Sequence, residues 1–347
     1  MGRRSHPNRK SSGSQTKISQ TSISQGGNKM TDEEKNQNLS GEPESPKIDE
    51  YDPSVESELN DSDSNLETAT IELHFVSGYR GREGKSFFVK TIAHYCAGRH
   101  KLITLVDCDR INPDVSNVYK EAERVFFSEN QDTEDDPDAI LNWATERKKP
   151  VLINLPGQVH EIVTAWIDRT LIPVIVENAE LEENDHREVE VKIYNWFLFN
   201  GERDSLNLFL KSLKHFGGCV QHILVRNHGM TSDWSVVDTH EDFKLFSGSS
   251  TGDRKGEFVR DEKGLEIRDT QELPIKRIIQ VNLPRLSKKE RDRLNTEEVT
   301  FAQALLPPVD KAGNTQEGKK AWPLWSRQRI QDFLKKAEAE IENTGLI

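Results

Sequence analysis

The sequence predicts an α/β protein built on a doubly wound, mostly parallel sheet. Three observations carry the prediction. From residue 71 onward, strand-like and helix-like segments alternate along the chain. The strand-like segments are short and almost wholly apolar, as strands covered by helices on both faces must be. The first of them runs straight into a glycine-bearing turn and then a helix, the order in which such sheets build an anion cradle at a helix N-terminus.

Residues 71–77 (IELHFVS) form the first predicted strand and residues 85–99 the first helix. Residues 102–106 (LITLV) read as a second strand, and 151–153 (VLI) as a third, after a helical stretch that begins near Asp138. A helix over about 160–168 precedes the apolar run 172–176. Residues 193–199 then read as a strand, 205–216 as a helix, 220–226 as a strand and 277–281 as the last strand. Together these place one domain over about 71–310. Residues 177–190 and 247–270 are polar and charged and read as solvated insertions. Ser287 and Glu290 have the spacing of a capping box. After a linker from 311, Ser326 is placed to cap a closing amphipathic helix. Its Ile330, Phe333, Leu334, Ala337 and Ile341 share one face, and Gly345 ends it. That stripe is expected to pack on its own domain, with Trp322 and Trp325 as anchors beside Pro323.

The 347 residues carry a formal net charge of −12, unevenly spread. Residues 1–30 hold +6, residues 31–70 hold −11 and the remainder −7. The first 70 residues are rich in Ser, Asn, Gln, Glu and Asp and nearly lack large apolar side chains. They cannot offset the entropy of ordering and are expected to be a disordered tail, basic then acidic. No stretch reaches the roughly 18 apolar residues of a membrane-spanning helix, and no apolar segment follows the basic start as in a secretion signal. No membrane partner is therefore expected, and the cytoplasm is the expected location. Cys96, Cys108 and Cys219 lie far apart without ligand spacing, which argues against a zinc module or a disulfide scaffold. An acidic total excludes a protein whose whole surface coats nucleic acid and leaves only weak, nonspecific DNA contact through the basic start.

The most specific feature is SGYRGREGKS, residues 77–86, between strand and helix. A phosphate cradle needs inward backbone N–H groups, a helix N-terminus, a lysine and a hydroxyl for magnesium. Gly84, Lys85 and Ser86 supply the last three in order, and Gly81 allows close backbone approach. The strict pattern GxxxxGK[ST] would put its first glycine at Tyr79, whereas here it is Gly78, so a plain strand–turn–helix remains the competing reading. Asp107 and Asp109 sit at i and i+2 where the second strand ends, facing the crevice in which open α/β sheets bind ligands. There they can orient magnesium waters and activate an attacking water. Cys108 between them reads as filler. His74, His94, His100, His160, His186, His215, His222 and His228 form no metal-binding pair and read as surface or half-buried side chains. Ser205 reads as part of the capping region of its helix.

In these segments the chain resembles the ParA/MinD-type P-loop ATPases, whose deviant phosphate loop has the form KGGxGK[ST]. Within them it is most similar to the TraL-like or MobD-like branch of conjugal transfer and mobilisation. The likeness runs in order through HFVSGYRGREGKSFFVKTIAHY, LITLVDCDRINPD, VLINLPGQ, WFLFNGERDSL, HILVRNHG and VNLPRL, over about 80–310. It implies a P-loop NTPase fold, ATP and Mg²⁺ as cofactors, an ATP-dependent homodimer, and mobilisation or partition proteins as partners. It also implies that Gly81, Arg82, Glu83, Gly84, Lys85 and Ser86 cradle the phosphates. Lys85 would bind the β- and γ-phosphates, and Ser86 would ligate the metal with Asp107 behind it. Asp109 would align the hydrolytic water, and Asn227 would read the adenine edge with the Pro284 loop beside the base. Arg80 stands where the family has the lysine that reaches a partner's nucleotide. Three departures mark this chain: Arg82 for a family glycine, Glu83 in the cradle, and Asn154 for the aspartate that supports magnesium through water. They open a second reading, a non-hydrolysing nucleotide-binding or structural adaptor.

Overall fold

A computed structural model describes residues 68–181, 187–247, 257–306 and 321–347. The expected tail falls almost wholly outside these residues. So do residues 182–186 and 248–256 of the expected insertions, and 307–320 around the expected linker.

The strands are β1 (Ala69–Gly78), β2 (Thr104–Asp107), β3 (Glu123–Arg124), β4 (Val151–Asn154), β5 (Val189–Phe199), β6 (Val220–Asn227) and β7 (Ile279–Leu283). They form one seven-stranded sheet in the order β3-β2-β4-β1-β5-β6-β7, every pair parallel. The helices are α1 (Lys85–Gly98), α2 (Ala139–Arg147), α3 (His160–Thr170), α4 (Ile172–Glu180), α5 (Arg203–Phe216), α6 (Ser235–Asp238), α7 (Glu241–Ser247), α8 (Lys288–Thr296), α9 (Phe301–Leu305) and α10 (Leu324–Thr344). β1 lies in the middle of the sheet; from it the strands wind outward to β3, return as β4 and then cross to β5, β6 and β7. This is the doubly wound order, and it sets the loop after β1 at the crevice outside the strands' carboxyl ends.

Central strands are buried on both faces because successive side chains enter opposite cores. Trp196 and Leu198 of β5 pack with Phe88, Val89 and Ile92 of α1 and with Ile330 and Phe333 of α10. Phe197 and Phe199 of β5 enter the opposite core with Phe209 and Leu213 of α5 and Phe243 of α7. Farther along the sheet, Ile153 of β4 joins Ile140 of α2 and Trp166 of α3. The apolar stripe of α10 lies in the first of these cores, and Gly345 closes the helix in a left-handed conformation.

The structure corrects several local expectations. The apolar run 172–176 continues as helix α4 to Glu180, and β5 starts at Val189 because Val189 and Glu190 pair with Ala69 and Thr70. The expected acidic insertion is thus helix at one end and sheet at the other. Beyond residue 256, the second expected insertion folds back through the bridges Phe258–Lys276, Arg260–Glu266 and Arg268–Pro274. It buries Val259, and the Asp269 carboxylate accepts from Gly218, Gln271 and Leu273 N–H groups. Ser326 does not cap α10. It lies inside the helix and donates to Glu290 Oε1 at 2.9 Å, while Pro323 sits at the cap. Ser287 likewise bonds the Glu290 side chain rather than the α8 backbone, and the reciprocal capping box occurs instead at Thr300 and Gln303 of α9. Ser205 is buried within α5, whose cap position is Glu202. Trp322 is buried and donates to Glu297 Oε2 at 3.0 Å, but Trp325 is 72 % exposed and anchors nothing.

Two histidines are fully buried, contrary to the surface reading. Trp196 Nε1 donates to His74 Nδ1 at 3.2 Å, which leaves the ring proton on Nε2 to donate to Glu72 Oε1 at 2.8 Å. His222 accepts at Nε2 from Ser212 Oγ at 3.0 Å and donates from Nδ1 to the Val220 carbonyl at 3.1 Å.

Candidate functional site

α1 begins directly after Gly84, which holds φ 92°, a left-handed conformation that glycine adopts without strain. No side chain caps the helix there, so the N–H groups of its first turn have no intrahelical partners, and the positive end of the helix is open to an anion. Lys85 is buried, and its Nζ donates to the Arg80 carbonyl at 2.7 Å, closing the loop on itself. Burial pulls its pKa down, opposed by the charges of Glu83 and Asp109. Arg80, Gly81 and Arg82 form the exposed crest. Arg80 pairs with Glu202, which follows β5. Arg82 holds φ 65°, left-handed backbone at a position where the resemblance has glycine.

Glu83 points inward and is 2 % exposed. Its Oε1 accepts from Asn200 Nδ2 at 2.8 Å. Its Oε2 lies 2.5 Å from where a Cβ on residue 78 would stand, so Gly78 is what leaves room for it. Burial pushes this carboxyl up, opposed by the Arg80 amide and the Lys85 charge. Asn227 braces the loop from below: its Nδ2 donates to the Glu83 carbonyl at 2.7 Å, and its Oδ1 accepts from Gly229 N–H at 2.9 Å. The amide assigned by resemblance to an adenine edge is here engaged at both ends within the protein.

Beside Ser86, the ends of β2 and β4 meet. Asp107 is fully buried and accepts four hydrogen bonds. Its Oδ1 takes Asp109 N–H at 3.2 Å and Asn154 Nδ2 at 2.9 Å, and its Oδ2 takes Val115 and Ser116 N–H at 3.1 and 2.9 Å. Asn154 Nδ2 also donates to Ser86 Oγ at 3.3 Å. Asp109 is half-buried, and its Oδ1 accepts from Ile111 and Asn112 N–H at 3.0 and 2.8 Å. Cys108 is buried, and burial raises its thiol well above the ordinary range, as suits filler rather than a nucleophile.

The structure therefore groups Lys85, Ser86, Asp107, Asp109 and Asn154 at one crevice, with Arg80 and Arg82 above it. An anion fits the bare helix N-terminus and the lysine. A magnesium ion does not fit the donor set: the Asp107 carboxylate is saturated by four N–H donors, and an Asn154 amide hydrogen takes one of the two Ser86 Oγ lone pairs on that side. Asn200, Glu202 and Lys90 were not singled out from sequence. The signal for the first two was the Asn200-Gly201-Glu202 turn at a strand's carboxyl end, on the sheet edge that carries the phosphate loop.

Another cleft, about 820 Å³, lies between α3 and α5. Its charged groups largely answer each other: His215 pairs with Asp168 at 2.9 Å and Lys214 with Asp242 at 2.7 Å. Among the described residues, no cluster of three or more His, Cys, Asp or Glu side chains could hold a metal. No helix there is long and apolar enough to cross a membrane.

No protein-family model matches the chain. It is 22 % identical over 178 residues to Protein MobD of Acidithiobacillus ferrooxidans, an overlap of 51 % of this chain and 69 % of that protein. The similarity points to a mobilisation-related relative and carries the wider ParA-type resemblance no further.

Proposed function

We propose that this chain is a ParA-like nucleotide-binding protein serving plasmid mobilisation or conjugal transfer, with ATP as its ligand. The observation that carries the reading is the bare N-terminus of α1 beneath a closed loop, with Lys85 folded across it at the switch point of a parallel sheet. The distant similarity to MobD supplies the biological setting. On binding, Lys85 would leave the Arg80 carbonyl for the phosphates. The first-turn N–H groups would take their oxygens, and Arg82 would add charge from the crest. Arg80 would have to leave Glu202 before it could reach a second copy of the chain in a cytoplasmic homodimer. Partner mobilisation or partition proteins, and nonspecific DNA, would receive the resulting change of shape.

Turnover, in this reading, would fall to Asp109. Asp109 stands near Lys85 with one carboxylate oxygen fixed by backbone N–H groups, a position from which it could hold a water. Glu83 and Asn154 favour instead a protein that binds nucleotide and hydrolyses it slowly or not at all. The test is ATP affinity and phosphate release for wild type, Lys85→Ala and Asp109→Ala, with and without DNA. Lys85→Ala is expected to abolish binding. If binding survives that change at full strength, the nucleotide reading is wrong. Turnover in wild type that Asp109→Ala removes would restore the ATPase.

A further inference from the structure

We propose that this site takes its nucleotide without a divalent cation, the place of the metal being held by the Asn154 amide. The inference rests on the nucleotide reading above. In a metal-assisted phosphate site, the loop hydroxyl offers a lone pair to the cation, and nearby carboxylates accept from the cation's waters. Here one NH₂ group bridges those same atoms, Ser86 Oγ at 3.3 Å and Asp107 Oδ1 at 2.9 Å. Its orientation is set by chemistry, since the opposite flip would press an amide oxygen against a carboxylate oxygen. Three backbone N–H groups fill the rest of the Asp107 carboxylate, so no lone pair on it is left for a metal's water.

Positive charge is also already in place. Lys90 lies one turn along α1 from Ser86, is 5 % exposed and donates to Asn295 Oδ1 at 2.8 Å. Burial pulls its pKa down and the charges of Asp114, Asp107 and Glu298 oppose that pull, so the lysine adds positive potential beside the carboxylates without an ion pair to them. Asn154 takes one of the two lone pairs of the Ser86 hydroxyl, the one that faces Asp107, and the hydroxyl keeps its hydrogen free. It serves as a donor to phosphate rather than as a metal ligand. The charge of the phosphates themselves falls to Lys85, Arg82 and the helix N-terminus.

The experiment is calorimetric titration of ATP into the full chain in excess magnesium and in excess EDTA, for wild type, Ser86→Ala and Asn154→Asp. Wild-type affinity is expected to differ less than about threefold between the two buffers. Ser86→Ala is expected to weaken binding about fivefold in both, the loss of one hydrogen bond to a charged group. Asn154→Asp sets two buried carboxylates face to face. It is expected to bind at least about tenfold more weakly in EDTA than in magnesium, and to melt lower than wild type until magnesium is added, even without nucleotide. A wild type that loses tenfold or more in EDTA, or a Ser86→Ala loss confined to magnesium, overturns the inference and leaves the nucleotide reading standing. A wild type that binds ATP in neither buffer overturns both.

Discussion

Glu83 and Arg82 are neighbours that both break the expected loop pattern, and each does so with a measurable cost. The Glu83 carboxyl is raised by burial, so the folded state holds its proton more tightly than the unfolded chain does. Its contribution to stability is full below the ordinary value of 4.5 and is lost as pH rises through the raised value. Glu83→Gln keeps an acceptor for Asn200 and removes the ionisation. In urea unfolding it is expected to be more stable than wild type by roughly 1 kcal/mol at pH 8, with the gap closing toward pH 4.5. A wild type that stays the more stable at pH 8 would show that the buried carboxylate is fully satisfied. Arg82, at φ 65°, carries left-handed strain that alanine keeps and glycine removes. Arg82→Gly is therefore expected to exceed Arg82→Ala in stability by roughly 1 kcal/mol in thermal unfolding, despite glycine's greater unfolded entropy.

At the level of elements, the contact between α5 and β6 makes the strongest pH prediction. His222 of β6 is fully buried against Ser212 of α5, and burial lowers its pKa to about 4. An unfolded chain takes up that proton near 6.5, so between these values the unfolded state binds a proton the native state refuses. Stability is full above pH 6.5 and falls toward pH 4 by at most roughly 3 kcal/mol from this group. His222→Gln should flatten that slope in urea midpoints measured between pH 7 and 4.5, whatever its effect at neutral pH. Elements of this kind were legible from sequence where burial is two-sided. β2 and β4 are apolar runs because both their faces meet helices, and α10 shows its stripe because one face meets the core. The fold-back of residues 257–278 was not legible, since single bridges and a buried Asp269 leave no periodic signal. The start of β5 at Val189 was masked by its acidic neighbours, because pairing with β1 rather than hydropathy decides it. In the site, Lys85 and Ser86 were readable from the loop itself. Asn200 and Glu202 reach it from a separate place in the chain, which only the topology shows, and Lys90 sits one turn along α1 but gains its place there from burial that the loop pattern does not mark. Ser326 looked like a cap for the same reason: its partner Glu290 is remote in sequence.

For the molecule as a whole, the question is whether α10 is an appendage or part of what keeps the nucleotide loop folded. Ile330, Phe333, Leu334, Ala337 and Ile341 share one core with α1, the helix that carries Lys85 and Ser86, and with Val281 and Leu283 of β7. The Phe333 ring lies 5.2 Å from Phe87 of α1 and 5.9 Å from Phe301 of α9. At its far end, Arg99 pairs with Glu342 at 2.8 Å. Burying four large apolar side chains is worth about 1.5–3 kcal/mol each, a sum comparable with the roughly 5–15 kcal/mol that holds a whole domain together. A chain ending at residue 321 is thus expected to lack a cooperative thermal transition by circular dichroism and to lose ATP binding with it. The single change Phe333→Ala, which leaves a cavity between α1 and α9, is expected to cost about 3–4 kcal/mol in urea while leaving the folded protein's ATP affinity near that of wild type. If the truncated chain instead melts sharply at the wild-type temperature and binds ATP, residues 71–310 stand alone and α10 is available for another role.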